Sequence, residues 1–193
     1  MRSILKGGVN ALSLCLVFPL ALMTGFGRVE SVFHFWAQAL ALGPGLPGDY
    51  LRAAYYRLTL EECALDCRIS FGTIFAHPQA RVGSRVFIGS NSVVGKATIG
   101  ARTQIASGVQ IISGRRQHGR GDEGAILSAD RSNFQKISIG PDCWIGAGAV
   151  VAADVGAGST IGAGAVVISS ISEAVVAVGN PARVIRETRT SVS

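Results

Sequence analysis

The stretch VGSRVFIGSNSVVGKATIGARTQIA, residues 82–106, decides the fold. An aliphatic residue followed by a small one recurs at Val82-Gly83, Ile88-Gly89, Val94-Gly95, Ile99-Gly100 and Ile105-Ala106. After a break, Ile139-Gly140, Ile145-Gly146 and Ile161-Gly162 resume the pattern. A unit of about six residues cannot bury its apolar face alone, so successive turns must stack around a shared core. Alternation of an aliphatic, a glycine and a small or β-branched residue suits short parallel strands joined by tight corners. No helical pattern separates these strands, which excludes a βαβ fold. Counting back from Val82, the inward positions of the first turn fall on Ala76 and Ser70. Val86, Ser92, Thr103 and Val109 take the second inward position of their repeats. Two spacings are irregular: Val94 to Ile99 is one residue short, and Val151 to Ile161 is two residues short of two full repeats. Distorted corners are expected there.

Residues 114–136 (GRRQHGRGDEGAILSADRSNFQK) break the period completely. A loop longer than about 15 residues in a compact domain is usually functional or disordered. The mixture of Arg115, Arg116, His118, Arg120, Asp122, Glu123 and Asp130 favours function. His118 is the only general base of its kind in the region, with His34 in an apolar segment and His77 in a corner-like Ala-His-Pro. Asp122 and Glu123 read as solvated loop charges.

N-terminal to the repeats, residues 9–27 are apolar, preceded by Arg2 and Lys6 and followed by Arg28. A second apolar stretch runs from Val32 to Leu46. A bilayer span needs about 17–25 residues, and the second stretch falls short. No small-x-small cleavage site closely follows the first, which disfavours a signal peptide. Two short helices lying in or dipping into a membrane fit best, against a clean span or packing on protein in solution. Gly43 to Gly48 is a breaker cluster. Beyond it, Tyr50 to Cys63 reads as an amphipathic helix with Arg52 and Arg57 facing water or phosphates. The expected organisation is a membrane-associating apolar helical segment over 1–48, a connecting helix over 49–66, an all-β domain over 67–187 and a tail over 188–193.

The 193 residues are 48% hydrophobic and 16% charged, with a formal net charge of +6. The basic residues are scattered and no nucleic-acid motif accompanies them, so nucleic acid is not the expected partner. A phosphate-bearing cofactor or an anionic membrane surface fits better. Cys15, Cys63, Cys67 and Cys143 lack metal-ligand spacing and read as free thiols in a reducing compartment, with no metal expected.

The segment Ile139-Gly-Pro-Asp-Cys-Trp-Ile-Gly-Ala-Gly-Ala-Val, then Ile161-Gly-Ala-Gly-Ala-Val-Val, then Val178-Gly-Asn-Pro-Ala-Arg-Val-Ile-Arg186 resembles the hexapeptide-repeat acyltransferases. The maltose, galactoside and antibiotic O-acetyltransferase branch is the most similar, and the N-terminal part resembles polysaccharide-biosynthesis acetyltransferases. The resemblance implies a left-handed parallel β-helix, although the usual crossover rule favours the opposite hand. It also implies a homotrimer binding acetyl-CoA between subunits, inactive as a monomer. On this resemblance His118 is the general base. Ala147 and Ala163 let the pantetheine approach the backbone, and Arg183 and Arg186 face CoA phosphates. Ile168-Ser169 stands at a CoA-binding position where relatives carry Thr-Lys, so one positive charge is missing. Ser90 and Asn91 fall where relatives contact acceptors.

The implied function is acetyl-CoA-dependent O-acetylation of a sugar hydroxyl in bacterial exopolysaccharide, capsule or O-antigen assembly. The acceptor would be a sugar or lipid-linked saccharide at the cytoplasmic side of the inner membrane. The alternatives are a small-molecule or amine acceptor, or a purely structural β-helix. A γ-carbonic-anhydrase-type zinc enzyme shares the fold, but three histidine ligands cannot be assembled from His34, His77 and His118.

Overall fold

The computed structural model describes residues 2–113, 118–121, 123–129 and 133–188, with side chains described from Lys6 onward. Arg115, Arg116, Asp122 and Asp130, singled out from the sequence, lie outside the described residues.

Inward-pointing aliphatic residues build a parallel β-helix with three sheets. Cys63, Val82, Ile99 and Ile139 align in the first sheet, continued by bridges through Val155 and Ile171. Ile69, Ile88, Ile105, Ile145, Ile161 and Ala177 align in the second. Phe75, Val94, Ile111, Val151 and Val167 align in the third. All are buried, as are Val86, Ser92, Thr103 and Val109 at the second inward position. The terminal strand Arg183–Glu187 returns antiparallel along the second sheet.

The repeat is kept within every turn, six residues from first sheet to second and six from second to third. All irregularity falls where the chain returns from the third sheet to the first. Phe75 to Val82 is one residue long, Val94 to Ile99 is one short, and both Val151 to Val155 and Val167 to Ile171 are two short. The 114–136 insertion falls at the same corner, between Ile111 and Ile139. This variable corner corrects the expected register of the first turn. The inward residues there are Ile69 and Phe75, not Ser70 and Ala76, because the extra residue sits in the His77-Pro78 corner.

The glycine after each inward aliphatic is required by the neighbouring turn. A Cβ on Gly146 would lie 2.4 Å from the Ala163 nitrogen, and one on Gly89 would lie 2.5 Å from that of Ser107. Glycines such as Gly148 and Gly164 play a different part, occupying left-handed corners at φ +66 between the second and third sheets.

Three helices cover the start of the β-helix: α1 (Arg2–Met23), α2 (Glu30–Ala41) and α3 (Gly45–Thr59). The third helix corrects the expected boundaries, which ran from Tyr50 to Cys63. It begins inside the glycine-rich segment because Gly43 and Gly48 allow close backbone approach rather than breaking the chain. A Cβ on Gly48 would meet the Gly43 carbonyl oxygen at 2.0 Å. Pro47 lies in the first turn, where a missing N–H costs nothing. Cys63 belongs to the first sheet, through Glu62–Cys63.

Helix α3 packs Tyr55 and Tyr56 into an aromatic cluster with Phe33 and Phe75, closing the end of the β-helix. The Tyr55 hydroxyl donates to the Phe33 carbonyl at 2.9 Å, and burial pushes both phenols well above their usual range.

Helix α1 presents Ser13, Val17 and Ala21 on one buried strip, continued by the buried Thr24 just past its end, and packs along α3. Leu12, Leu16, Phe18, Leu22 and Met23 are exposed around the rest of its girth. Its Lys6–Met23 segment is long and apolar enough to cross a membrane by length and composition.

Candidate functional site

The long insertion leaves and re-enters the β-helix at one point of the variable corner. Ser113 Oγ accepts the Lys96 N–H at 2.8 Å, and the Ser113 carbonyl accepts the Gln135 N–H at 3.2 Å. The returning limb is anchored by side chains. Phe134 meets the His77 ring edge-on at 5.2 Å, and the Lys96 ammonium lies 5.4 Å from its centroid. Lys136 pairs with Glu61 at the end of α3, and Glu61 also accepts from Arg81 Nε at 2.9 Å. Lys136 and then Arg81 hold the Glu61 carboxyl below its ordinary range, so it remains ionised.

Within the insertion, His118–Arg120 pairs antiparallel with Ile126–Ala129, and Arg120 Nη1 donates to the Gly124 carbonyl at 2.8 Å. Both strands of this hairpin are exposed, as is Glu123. His118 Nδ1 lies 3.0 Å from the Leu127 carbonyl oxygen. A carbonyl only accepts, so Nδ1 carries a hydrogen, and in the neutral imidazole Nε2 is the acceptor. The backbone of the opposite strand therefore sets the tautomer and aim of the imidazole. The sequence offers no signal for this, because the partner is a main-chain oxygen.

The remaining candidate residues divide between two corners. Ser90, Asn91, Ala147 and Ala163 lie on the corner between the second and third sheets, and the two alanines are exposed one turn apart. The Gly164 N–H donates to the Ala147 carbonyl at 2.8 Å. Asn91 holds a left-handed corner conformation at φ 57, and its N–H donates to the Phe71 carbonyl at 2.9 Å. Arg183 pairs opposite Val178, which leads into the same corner, and Arg186 lies farther along the exposed terminal strand opposite Val176. Ile168 and Ser169 are on the variable corner instead. With Lys136, Asp154 and Ser170 they line a groove of about 700 Å³. Lys136, not foreseen as a site residue, puts a cation in the groove where Ile168-Ser169 brings none. Its position immediately before the resuming repeat was the available clue.

Between the two corners lies the outer face of the third sheet, formed by Ile74, Val93, Gln110, Val150 and Val166 in register. Trp144 projects from the second sheet and is exposed. The Cys63 and Cys67 sulfurs are buried 3.7 Å apart. Among the described residues, no group of three histidine, cysteine or carboxylate side chains is placed to hold a metal ion.

Residues 79–112 match the hexapeptide repeat of succinyl-transferase, and residues 136–169 match the bacterial transferase hexapeptide of six repeats. No curated protein sequence matches the chain. A maltose O-acetyltransferase from Clostridium difficile 630 superposes with a TM-score of 0.66 at 23% identity, over 81% of this chain and 85% of that one. The polySia specific acetyltransferase NeuO gives 0.51 at 22% identity, over 66% of this chain. The chain spans only 63% of the length of NeuO. AntD, an N-acyltransferase from Bacillus cereus solved with dTDP-4-amino-4,6-dideoxyglucose and coenzyme A, gives 0.51 at 18% identity, over 65% of this chain and 72% of that one. The chain carries hexapeptide repeats over residues 79–112 and 136–169 and folds, like these structures, as a parallel β-helix.

Proposed function

We propose that the protein is a CoA-dependent acyltransferase, specifically an O-acetyltransferase that transfers acetyl from acetyl-CoA to a sugar hydroxyl during bacterial polysaccharide assembly. The observation that carries this reading is His118. It stands exposed on a hairpin at the interruption of a transferase repeat, with Nδ1–H committed to the Leu127 carbonyl and Nε2 able to accept a proton. Nε2 takes the acceptor hydroxyl proton as that oxygen attacks the thioester carbonyl. The resulting tetrahedral oxyanion requires hydrogen-bond donors. Its collapse breaks the carbon–sulfur bond and releases the CoA thiolate, which recovers the proton from the imidazolium. No covalent acyl-enzyme is needed.

The likeness to AntD, solved with coenzyme A, and to NeuO and the maltose enzyme, named for saccharide acceptors, supports the choice of donor and acceptor class. An apolar third-sheet face between two corners that each bear candidate residues supports a homotrimer, in which a neighbouring copy completes the site. The bare apolar flank of α1 supports attachment to the membrane, on the cytoplasmic side where CoA is found.

The test is thiol release from acetyl-CoA with a panel of free and lipid-linked sugars. General-base assistance is typically worth about 10²–10⁴-fold, and His118→Ala is expected to lose that much turnover while keeping its thermal stabilisation by CoA. Turnover equal to wild type in the variant would sink the mechanism.

A further inference from the structure

A second groove, of about 690 Å³, lies at the foot of the variable corner, between the α1–α2 turn and the chain around Glu61 and Gln79. Its floor is held by close backbone contact. Gly27, at φ +89, places the turn so tightly against the end of α3 that a Cβ there would lie 2.2 Å from the Thr59 carbonyl oxygen. The Glu61 N–H donates to the Pro78 carbonyl at 2.9 Å, closing the other side.

The groove has two chemically different rims. Phe26 and Val29 are 43% and 45% exposed and adjoin Leu22 and Met23, each 60% exposed. This rim continues the apolar flank of α1. The rest of the lining is polar, with Arg28 and Glu30 on the turn side and Thr59, Glu61 and Gln79 on the side of α3 and the β-helix. Glu61 is also the residue paired with Lys136, which lines the groove containing Ser169 and Asp154. The two grooves therefore lie on one corner of the β-helix and share an ion pair as their border.

We infer that the groove at the α1–α2 turn holds the polar head of a membrane-borne, phosphate-linked saccharide, whose lipid tail runs along the exposed flank of α1. Guanidinium binds phosphate oxygens in a bidentate manner, which assigns the phosphate to Arg28. A carboxylate and an amide accept from and donate to adjacent hydroxyls, which assigns the sugar to Glu61 and Gln79. A wholly apolar ligand would strip water from Arg28 and Gln79 without replacing it, at a cost. A free sugar or free anion would leave the apolar rim unused. The orientation of α1 favours the same occupant. Its buried strip lies along α3, which is itself packed on the β-helix. The helix is thus held beside the body, its bare flank able to lie in one leaflet. This inference rests on the acetyltransferase reading for its purpose, but binding alone tests it.

Farnesyl-diphospho-N-acetylglucosamine serves as the probe, titrated by calorimetry against the purified full-length protein, with free N-acetylglucosamine and farnesyl diphosphate as separate arms. The lipid-linked sugar is expected to bind at least tenfold more tightly than either part. Arg28→Ala and Gln79→Leu are each expected to weaken it at least tenfold with CoA binding and melting temperature unchanged, and Arg28→Lys is expected to recover part of the loss. Equal binding of wild type and both variants overturns the proposal, as does a free sugar that binds as well as the probe. Farnesyl diphosphate binding as tightly as the probe also overturns it, since that marks a lipid-anion site without sugar recognition. Binding as expected without any acetyl transfer supports the groove and counts against the acetyltransferase reading alone.

Discussion

Arg52 has a helical spacing that predicts a solvated charge, yet its side chain is fully buried. Its Nε donates to the Ile69 carbonyl at 2.8 Å, and Nη1 donates to the Leu40 and Gly43 carbonyls at 2.9 and 2.7 Å. Nη2 meets Asp49 at 2.6 Å, and the second Asp49 oxygen accepts from Arg68 Nε at 2.7 Å. Burial pushes the Arg52 pKa down, while the Asp49 carboxylate opposes the shift. One guanidinium thus terminates α2, orients α3 and joins both to the first turn of the β-helix. Removing one partner of a buried ion pair typically costs about 3–5 kcal/mol, and Arg52→Ala is expected to fall in that range by urea denaturation. Arg52→Lys should recover little, because an ammonium cannot supply the same planar set of donors. His118 is the opposite case. It is exposed, and a carbonyl across a hairpin gives it chemical direction.

The six-residue turn uses glycine for two separate reasons, and substitution distinguishes them. At Gly146 the φ angle is ordinary, but the stacked turn leaves no room for a side chain. At Gly148 the surroundings are open within 4 Å, but the backbone is left-handed. Overpacking costs roughly 1–3 kcal/mol and a left-handed Cβ about 1–2 kcal/mol. Gly146→Ala is expected to lower the melting temperature more than Gly148→Ala, because its clash is with backbone that cannot rotate away. Ala174 already holds φ 55 at an equivalent type of corner, so the fold tolerates the smaller of the two penalties. Corner geometry also explains where insertion is permitted. Residues inside a turn must keep six-residue spacing to stay aligned with the strands above and below. The return from third to first sheet absorbs one residue more, one or two fewer, or the whole 114–136 insertion.

The three outer faces of the molecule differ in character. The first sheet presents Glu62, Arg81, Thr98 and Ser138 outward, whereas the third presents Ile74, Val93, Val150 and Val166 around a single glutamine. A contiguous apolar strip flanked by the two corners is the surface expected to meet further copies of the chain. Introducing charge at two of these positions, Val93→Glu with Val150→Glu, is expected to convert the proposed trimer to monomers in light scattering behind a sizing column. The β-sheet circular dichroism should persist, and thiol release should vanish with the trimer. Retention of the trimer would place the interface elsewhere.

Periodicity, loop position and the location of the histidine are all local properties of the chain. Each repeat carries its own aliphatic and glycine, so a single sequence suffices to identify stacked parallel strands and the place where they are interrupted. The register of the first turn is not local. Counting back assumes equal repeats, and the extra residue at His77-Pro78 reverses the inward and outward assignment of everything before it. Contacts that hold the site in place are equally invisible along the chain. Lys136 meets Glu61, Phe134 meets His77 and Lys96, and Arg52 meets carbonyls from two separate segments. Such pairings join residues distant in sequence, and no spacing rule relates them. Which candidate residues share a corner depends on the summed length of every preceding turn, so only the folded chain separates Ala147 and Ala163 from Ile168 and Ser169.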